Sequence, residues 1–313
     1  MNVGISCGAW SWAIFQGSHI PNGDWDALTV LSTRGVRSVK YLLYEGSPET
    51  QFEDIRRLRQ ERNYSEIVLR LMHPHGQLPE TAGFVAQYER RIQHAFDMGF
   101  SVVLQPLNEP NLENTSMSWQ AIASWFVSVA NKLRSRFPRA EIVSPPIAPF
   151  APNTWEAWDS LRACVDVSDT VGVHVYWRSL ADADGAYSLP WWLGQVPGKV
   201  VRVLECGCPT GTDAATRQAL LPRLYSQLAA EPRCWGYYPF ILSAEDAAQH
   251  GEHFLTQADL TALGTLAGGG TVAPPTLPPL LPPPPPSLPL PGDVPSIPVG
   301  GIATYRVVVE RIS

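Results

Sequence analysis

Between residues 1 and 267, short apolar runs alternate with longer stretches in which apolar side chains recur every three to four positions. The short runs are Val3 to Ala9, Ser38 to Leu43, Glu66 to Leu71, Ser101 to Leu107, Glu141 to Ser144, Thr170 to Tyr176, Lys199 to Leu204 and Trp235 to Phe240. Runs of this length bounded by polar or turn residues are expected to be strands. The longer stretches, among them Phe84 to Met98, Trp119 to Phe137 and Ala214 to Ala230, carry the period of amphipathic helices. Alternation of the two predicts βα units on a parallel sheet. Eight units in about 265 residues match a (β/α)8 TIM barrel, an α/β fold, with a last helix at Gln257 to Leu266 closing the ring. The alternative is an open, doubly wound sheet. It is disfavoured because no Gly-x-Gly-x-x-Gly turn follows the first strand, where a dinucleotide fold would put its phosphate loop.

From Gly268 the pattern stops. Residues 268–301 are dominated by glycine and proline, and proline lacks the N–H that a helix or ladder needs. This segment reads as a linker that favours an extended polyproline II form. After it, Ile302 to Ile312 (IATYRVVVERI) reads as one β-branched strand with no local partner. Such a strand is expected to dock on a protein partner or on the main domain. The predicted organisation is therefore a barrel over 1–267, a linker over 268–301 and a strand-like segment over 302–313.

Charge narrows the function. The chain has 23 Lys and Arg against 29 Asp and Glu, a net charge of −6, and no basic block, so nucleic acid is not an expected partner. No stretch is long and apolar enough to predict a membrane span, and the first residues do not read as a secretion signal. Five cysteines scattered over this length do not suggest a disulfide framework, and reduced thiols are expected.

In a barrel the chemistry lies where the strands end. The first strand leads into Trp10 and Trp12, the third into Arg70, His73 and His75, and the fourth into Asn108 and Glu109. The sixth carries His174, Tyr176 and Trp177, the seventh Glu205, and the eighth Phe240. Two carboxylates thus emerge on one face. Cleavage of a glycosidic bond requires such a pair, one to protonate the leaving oxygen and one to attack or to activate water. Eleven tryptophans fit this reading, because the C–H faces of sugars stack on aromatic rings. Trp191 and Trp192 are adjacent in a loop, so at least one is expected to face outward and bind substrate. Trp119, Trp125, Trp155 and Trp158 fall at helical spacing and are expected in the core. Arg70, ending a buried strand, calls for a carboxylate partner. His73 and His75 form an H-x-H, but only His174 offers itself as a further ligand, so neither a metal nor an organic cofactor is expected. Cys206 and Cys208 lack a second cysteine pair and read as packing residues.

LNEP at Leu107 to Pro110 and VLEC at Val203 to Cys206 resemble the large superfamily of retaining glycoside hydrolases on (β/α)8 barrels, clan A, which place an Asn-Glu pair after strand 4 and a Glu after strand 7. The HVY of His174 to Tyr176 resembles their strand 6 His-x-Tyr, and Arg70 their basic residue on an early strand. The resemblance implies that Glu109 is the acid/base and Glu205 the nucleophile. It also implies that Asn108 meets the sugar 2-hydroxyl and that Tyr176 donates to Glu205. Members commonly carry a Trp at the end of strand 8. Here that place holds Pro239 and Phe240, so Phe240 or Trp177 would have to supply the stacking. The expected partner is a β-linked glycan, acted on outside the cell or on a particle. A barrel that binds glycan without cutting it, tethered by the tail to a cell surface or virus particle, is the alternative.

Overall fold

The computed structural model describes residues 2–6, 20, 22–44, 48–209 and 212–240, all within the first of two units, Met1–Pro274. Trp10, Trp12, the expected helix at 257–266, the Pro-rich segment at 268–301 and the strand-like segment at 302–313 lie outside the described residues. The strands are β1 (Asn2–Ser6), β2 (Ser38–Leu43), β3 (Glu66–Leu71), β4 (Ser101–Gln105), β5 (Glu141–Ile142), β6 (Val171–Tyr176), β7 (Val201–Gly207) and β8 (Cys234–Pro239). All pair in parallel, in the order β5-β4-β3-β2-β1-β8-β7-β6. The two ends of that order meet. Val143 bridges Thr170 in parallel, the Ser144 N–H donates to the Thr170 carbonyl at 3.0 Å, and the Gly172 N–H donates to Ser144 Oγ at 3.1 Å. The sheet is therefore a closed ring, as the strand–helix alternation predicted, and not an open sheet.

Around it run α1 (Asn22–Thr33), α2 (Pro48–Gln60), α3 (Thr81–Asp97), α4 (Pro110–Glu113), α5 (Trp119–Arg136), α6 (Thr154–Ser160), α7 (Arg162–Asp166), α8 (Leu189–Gln195) and α9 (Ala214–Ala230). In α3 and α5 the apolar residues at helical spacing face the ring: Phe84, Tyr88 and Ile92 in one, Ile122, Phe126, Val129 and Leu133 in the other. Ser118 caps α5, its hydroxyl accepting from the Ala121 N–H at 3.2 Å. Trp125 and Trp158 are buried and Trp119 packs against the core, but Trp155 is 48% exposed. The core expectation fails there because α6 is only two turns long, and its inward face is already filled by Ala157 and Trp158.

Strand ends differ from the apolar runs in two instructive places. β4 stops at Gln105 because Pro106 cannot donate to a ladder. β7 runs past Leu204 to Gly207, so Glu205 sits inside the strand. The β6–β7 register pairs Val173 with Val203 and then His174 with Glu205, skipping Leu204. This bulge lets two consecutive residues aim into the barrel, which regular alternation forbids.

The barrel interior is filled in layers. At the N-terminal end, Arg202 donates to both Glu66 oxygens at 3.1 and 3.0 Å and to both Glu141 oxygens at 2.5 and 2.7 Å. Ser38 and Tyr238 also donate to Glu66. Above this lies an apolar layer of Val68, Val103, Val143, Leu204 and Tyr238. Above that again come Lys40, Arg70, Gln105, His174 and Glu205, all buried.

Gly172 has no room for a side chain. A Cβ there would overlap the Ser144 carbonyl oxygen and stand 2.9 Å from Leu204 Cδ1. Gly172→Ala should therefore destabilise the protein by at least the ~1–3 kcal/mol typical of overpacking. A thermal melt checks it, and a wild-type transition would show that the β5–β6 seam is looser than described.

Candidate active site

Glu109 ends the strand-to-helix turn after β4. Its backbone is left-handed, φ 34 and ψ 55, directly before Pro110. Neither a β-carbon nor a following proline favours that region, and such strain persists only where the surroundings impose it. The imposing contacts are visible. The Glu109 N–H donates to the Pro146 carbonyl at 3.1 Å, and the Glu109 carbonyl accepts from the N–H groups of Leu112 and Glu113, each at 2.8 Å. The turn lifts the carboxylate into the barrel mouth, where it retains 18% side-chain exposure.

His174 from β6 links the two carboxylates. Its Nδ1 lies 2.7 Å from Glu109 Oε1 and 3.6 Å from Glu205 Oε2. The ring is fully buried, the His174 carbonyl accepts the Trp192 indole N–H at 3.1 Å, and its Nε2 has no hydrogen-bond partner among the described residues. Glu205 receives the Tyr176 hydroxyl on Oε2 at 3.0 Å, the contact that the resemblance implied. On Oε1 it receives the Lys40 ammonium, also at 3.0 Å. Lys40 donates as well to the Leu204 carbonyl at 3.1 Å.

Lys40 was not among the sequence candidates. The basic residue that touches Glu205 comes from β2, whereas Arg70 on β3 turns to Glu113 at 2.6 Å. Its sequence signal is a lysine in SVKYLL, a strand otherwise apolar after its first residue. Glu113, also missed, stands one helical turn beyond Glu109 and accepts the Asn108 amide at 2.8 Å. Asn108 Oδ1 in turn accepts from Gln105 at 2.8 Å. Asn108 is thus held on both sides beneath the mouth.

The electrostatics around Glu205 are decisive. Burial alone would raise its pKa. The His174 ring, the Lys40 ammonium and the Arg70 guanidinium outweigh that and hold the carboxyl well below the usual carboxylate range. Burial acts oppositely on Lys40 and lowers its pKa, an effect that Glu205 offsets only in part. One atom each from Glu109, His174 and Glu205 fall within 4.8 Å of one another, the convergence a cation would need. The Lys40 ammonium already sets a positive charge against this cluster, which disfavours a divalent ion there. His73 and His75 do not converge: His73 packs at 5.5 Å against the Trp125 ring, and His75 faces Glu113 at 3.8 Å. Cys206 is buried, Cys208 partly so, and both are free thiols.

Among the expected aromatic contacts, Trp177 and Trp192 are buried, only 2% and 1% exposed. Neither offers a ring face to a sugar: Trp191 and Trp192 stand on α8, not in a loop as expected, and Trp192 is covered by Trp158 at 4.9 Å. Trp191 is partly exposed and Phe240, just past β8, is partly buried.

No family model and no curated protein matches the chain. Solved structures do. A β-glucosidase superposes with TM-score 0.55 at 15% identity, over 79% of this chain and 87% of that one. An endo-β-1,3-glucanase of family GH128 from Amycolatopsis mediterranei, solved with laminaritriose, gives 0.52 at 13%, over 85% and 98%. A family 30 xylanase from Clostridium acetobutylicum gives 0.54 at 13%, over 85% and 71%. The chain shares their (β/α)8 barrel.

Within that barrel, a depressed carboxyl pKa stabilises the fold above the unfolded value of about 4.3 and ceases to do so as pH falls through the folded value. Lys40→Met removes one of the groups that hold Glu205 down. It should cost about 3–5 kcal/mol at pH 7 by leaving a buried charge short of a partner. The difference from wild type should shrink as acid protonates Glu205. Chemical denaturation at pH 7 and near pH 3 tests this; an equal loss at both would remove the ion pair from the account.

Proposed function

We propose that the protein is a retaining glycoside hydrolase acting on a β-linked polysaccharide or oligosaccharide. The observation that carries this is that oxygens of Glu109 and Glu205 come within 4.8 Å across the barrel mouth. Retaining enzymes keep their carboxyl groups about 5–5.5 Å apart, whereas inverting ones need about 6.5–9.5 Å to admit a water. The chain's structural neighbours bear the names of enzymes that act on β-linked glycans, which supports the substrate class.

The two carboxylates divide the work by environment. Glu205, held ionised by Lys40 and Tyr176, attacks the anomeric carbon. Glu109 gives its proton to the departing glycosidic oxygen as that bond breaks, leaving a glycosyl ester on Glu205. Glu109, now a carboxylate beside His174, takes a proton from water. The water oxygen bonds to the anomeric carbon, the ester breaks, and both side chains return to their starting state.

Glu109→Gln should lower kcat by about 10²–10⁴-fold on an unactivated glycan, the usual contribution of general acid–base catalysis. Glu205→Gln should abolish turnover, and the wild-type product should form first as the β-anomer by NMR. Full hydrolysis by both variants would defeat the proposal. Tight calorimetric binding of glycans with no release of reducing ends by the wild type would replace it with a pure binding barrel.

A further inference from the structure

The described residues expose three large apolar side chains: Leu112 at 55%, Trp155 at 48% and Leu180 at 49%. All three belong to the segments that follow β4, β5 and β6, so among the described residues the large exposed apolar side chains fall on three consecutive strand-end segments. Rings converge there. Trp155 meets Trp191 at 5.7 Å, Trp191 meets Tyr187 at 5.0 Å, and Tyr187 meets Phe150 edge-on at 5.5 Å. The Arg178 guanidinium lies 3.9 Å over the Phe150 ring, its side chain 58% exposed.

Two of these rings sit on strained backbone. Phe150 has φ 65 and Tyr187 has φ 66, values that bulky residues adopt rarely and that cost on the order of 1 kcal/mol or more. The two rings meet at the edge of the core, both partly buried and Tyr187 packed against it. The segment that carries Phe150 is tied to the Glu109 turn. Ala148 and Asn111 exchange hydrogen bonds at 2.9 and 3.0 Å, and Pro146 accepts from the Glu109 N–H. Trp191 leans at 4.7 Å on Trp192, which holds the His174 carbonyl. The shelf is thus anchored to the acid/base side of the catalytic pair.

We infer that this shelf binds pyranose residues of a glycan chain on the leaving-group side, so that the substrate continues past the cleaved bond and is cut within a chain. The inference rests on the hydrolase reading for the word "leaving-group"; the shelf itself rests on its own geometry. Indole faces and edges suit the C–H surfaces of pyranoses, and Arg178 supplies donors for ring hydroxyls. A patch of this composition continuous with a catalytic mouth extends the mouth's ligand.

The test uses the full chain carrying Glu109→Gln, alone and with Trp155→Ala or Trp155→Tyr, each checked by thermal melt. Two-residue and six-residue β-1,3-glucan, β-1,4-mannan and β-1,4-xylan oligosaccharides are titrated by calorimetry. Trp155→Ala should weaken the six-residue chain about tenfold more than the two-residue one, and Trp155→Tyr should restore most of it. Equal effects on both lengths, or none, overturn the shelf. So does a dimer in sedimentation that Trp155→Ala dissolves, which would make the patch a self-contact. If Trp155→Ala fails to fold, Arg178→Ala, at a shelf side chain 58% exposed, decides by the same length ratio. Hydrolysis by the wild type with length-independent Trp155 effects defeats the shelf alone. Length-dependent binding with no bond cleaved defeats the hydrolase reading and leaves the shelf.

Discussion

Inside a closed ring of eight parallel strands there is no bulk water, so each polar side chain aimed inward must find its partner across the ring. Lys40 and Glu205 meet that requirement at the top of the barrel, and Arg202 with Glu66 and Glu141 meets it at the bottom. The single apolar layer between them separates two charged networks of different consequence. The lower one is closed on itself, with both carboxylates taken up by one guanidinium and neighbouring hydroxyls. The upper one is left open toward the mouth. Glu109 retains solvent contact there, and one ring nitrogen of His174 has no partner among the described residues.

In the proposed mechanism, that difference makes the upper network the reactive one. A carboxylate surrounded by Lys40, Tyr176 and His174 is ionised without needing water, which is the state a nucleophile must keep after a sugar has displaced the solvent. Glu109 lies at the edge of the same network, on a backbone turn whose strain is imposed by hydrogen bonds to the segment after β5. Glu109, the proposed acid/base, is thereby tied to the segment that carries Phe150, and Glu205, the proposed nucleophile, to the ladder of β6, β7 and β8. On the proposed reading, the strands carry the chemistry and the rim the recognition.

Much of this was legible in the chain. Eight apolar runs separated by helical patterns foretold the barrel. Counting strands placed Glu109 and Glu205 at one mouth, because that count depends only on local patterns that tolerate errors of a residue or two. Arg70 inside an apolar run announced a carboxylate partner, though not that Glu113 would be the one. The tryptophans were less legible. Helical spacing marks which residues share a face, but Trp155 and Trp158 on a two-turn helix diverge, one outward and one inward. Trp177 and Trp192 read as loop residues and are buried, Trp192 because it stands on the inner face of α8 against Trp158, a contact between segments that spacing does not show.

What the sequence determined by itself was the alternation of strand and helix, and with it the ring and the two carboxylate positions, since periodicity and residue type are local properties. What only the tertiary structure decided was which charges meet. The bulge at Leu204 turns Glu205 inward, the closeness of β5 and β6 at Gly172 draws the seam shut, and Lys40 reaches Glu205 from 165 residues away in the chain. None of these follows from spacing, because each is set by where strands distant in sequence come to rest against one another, and an inward-facing charge acquires its meaning only from the group it finds there.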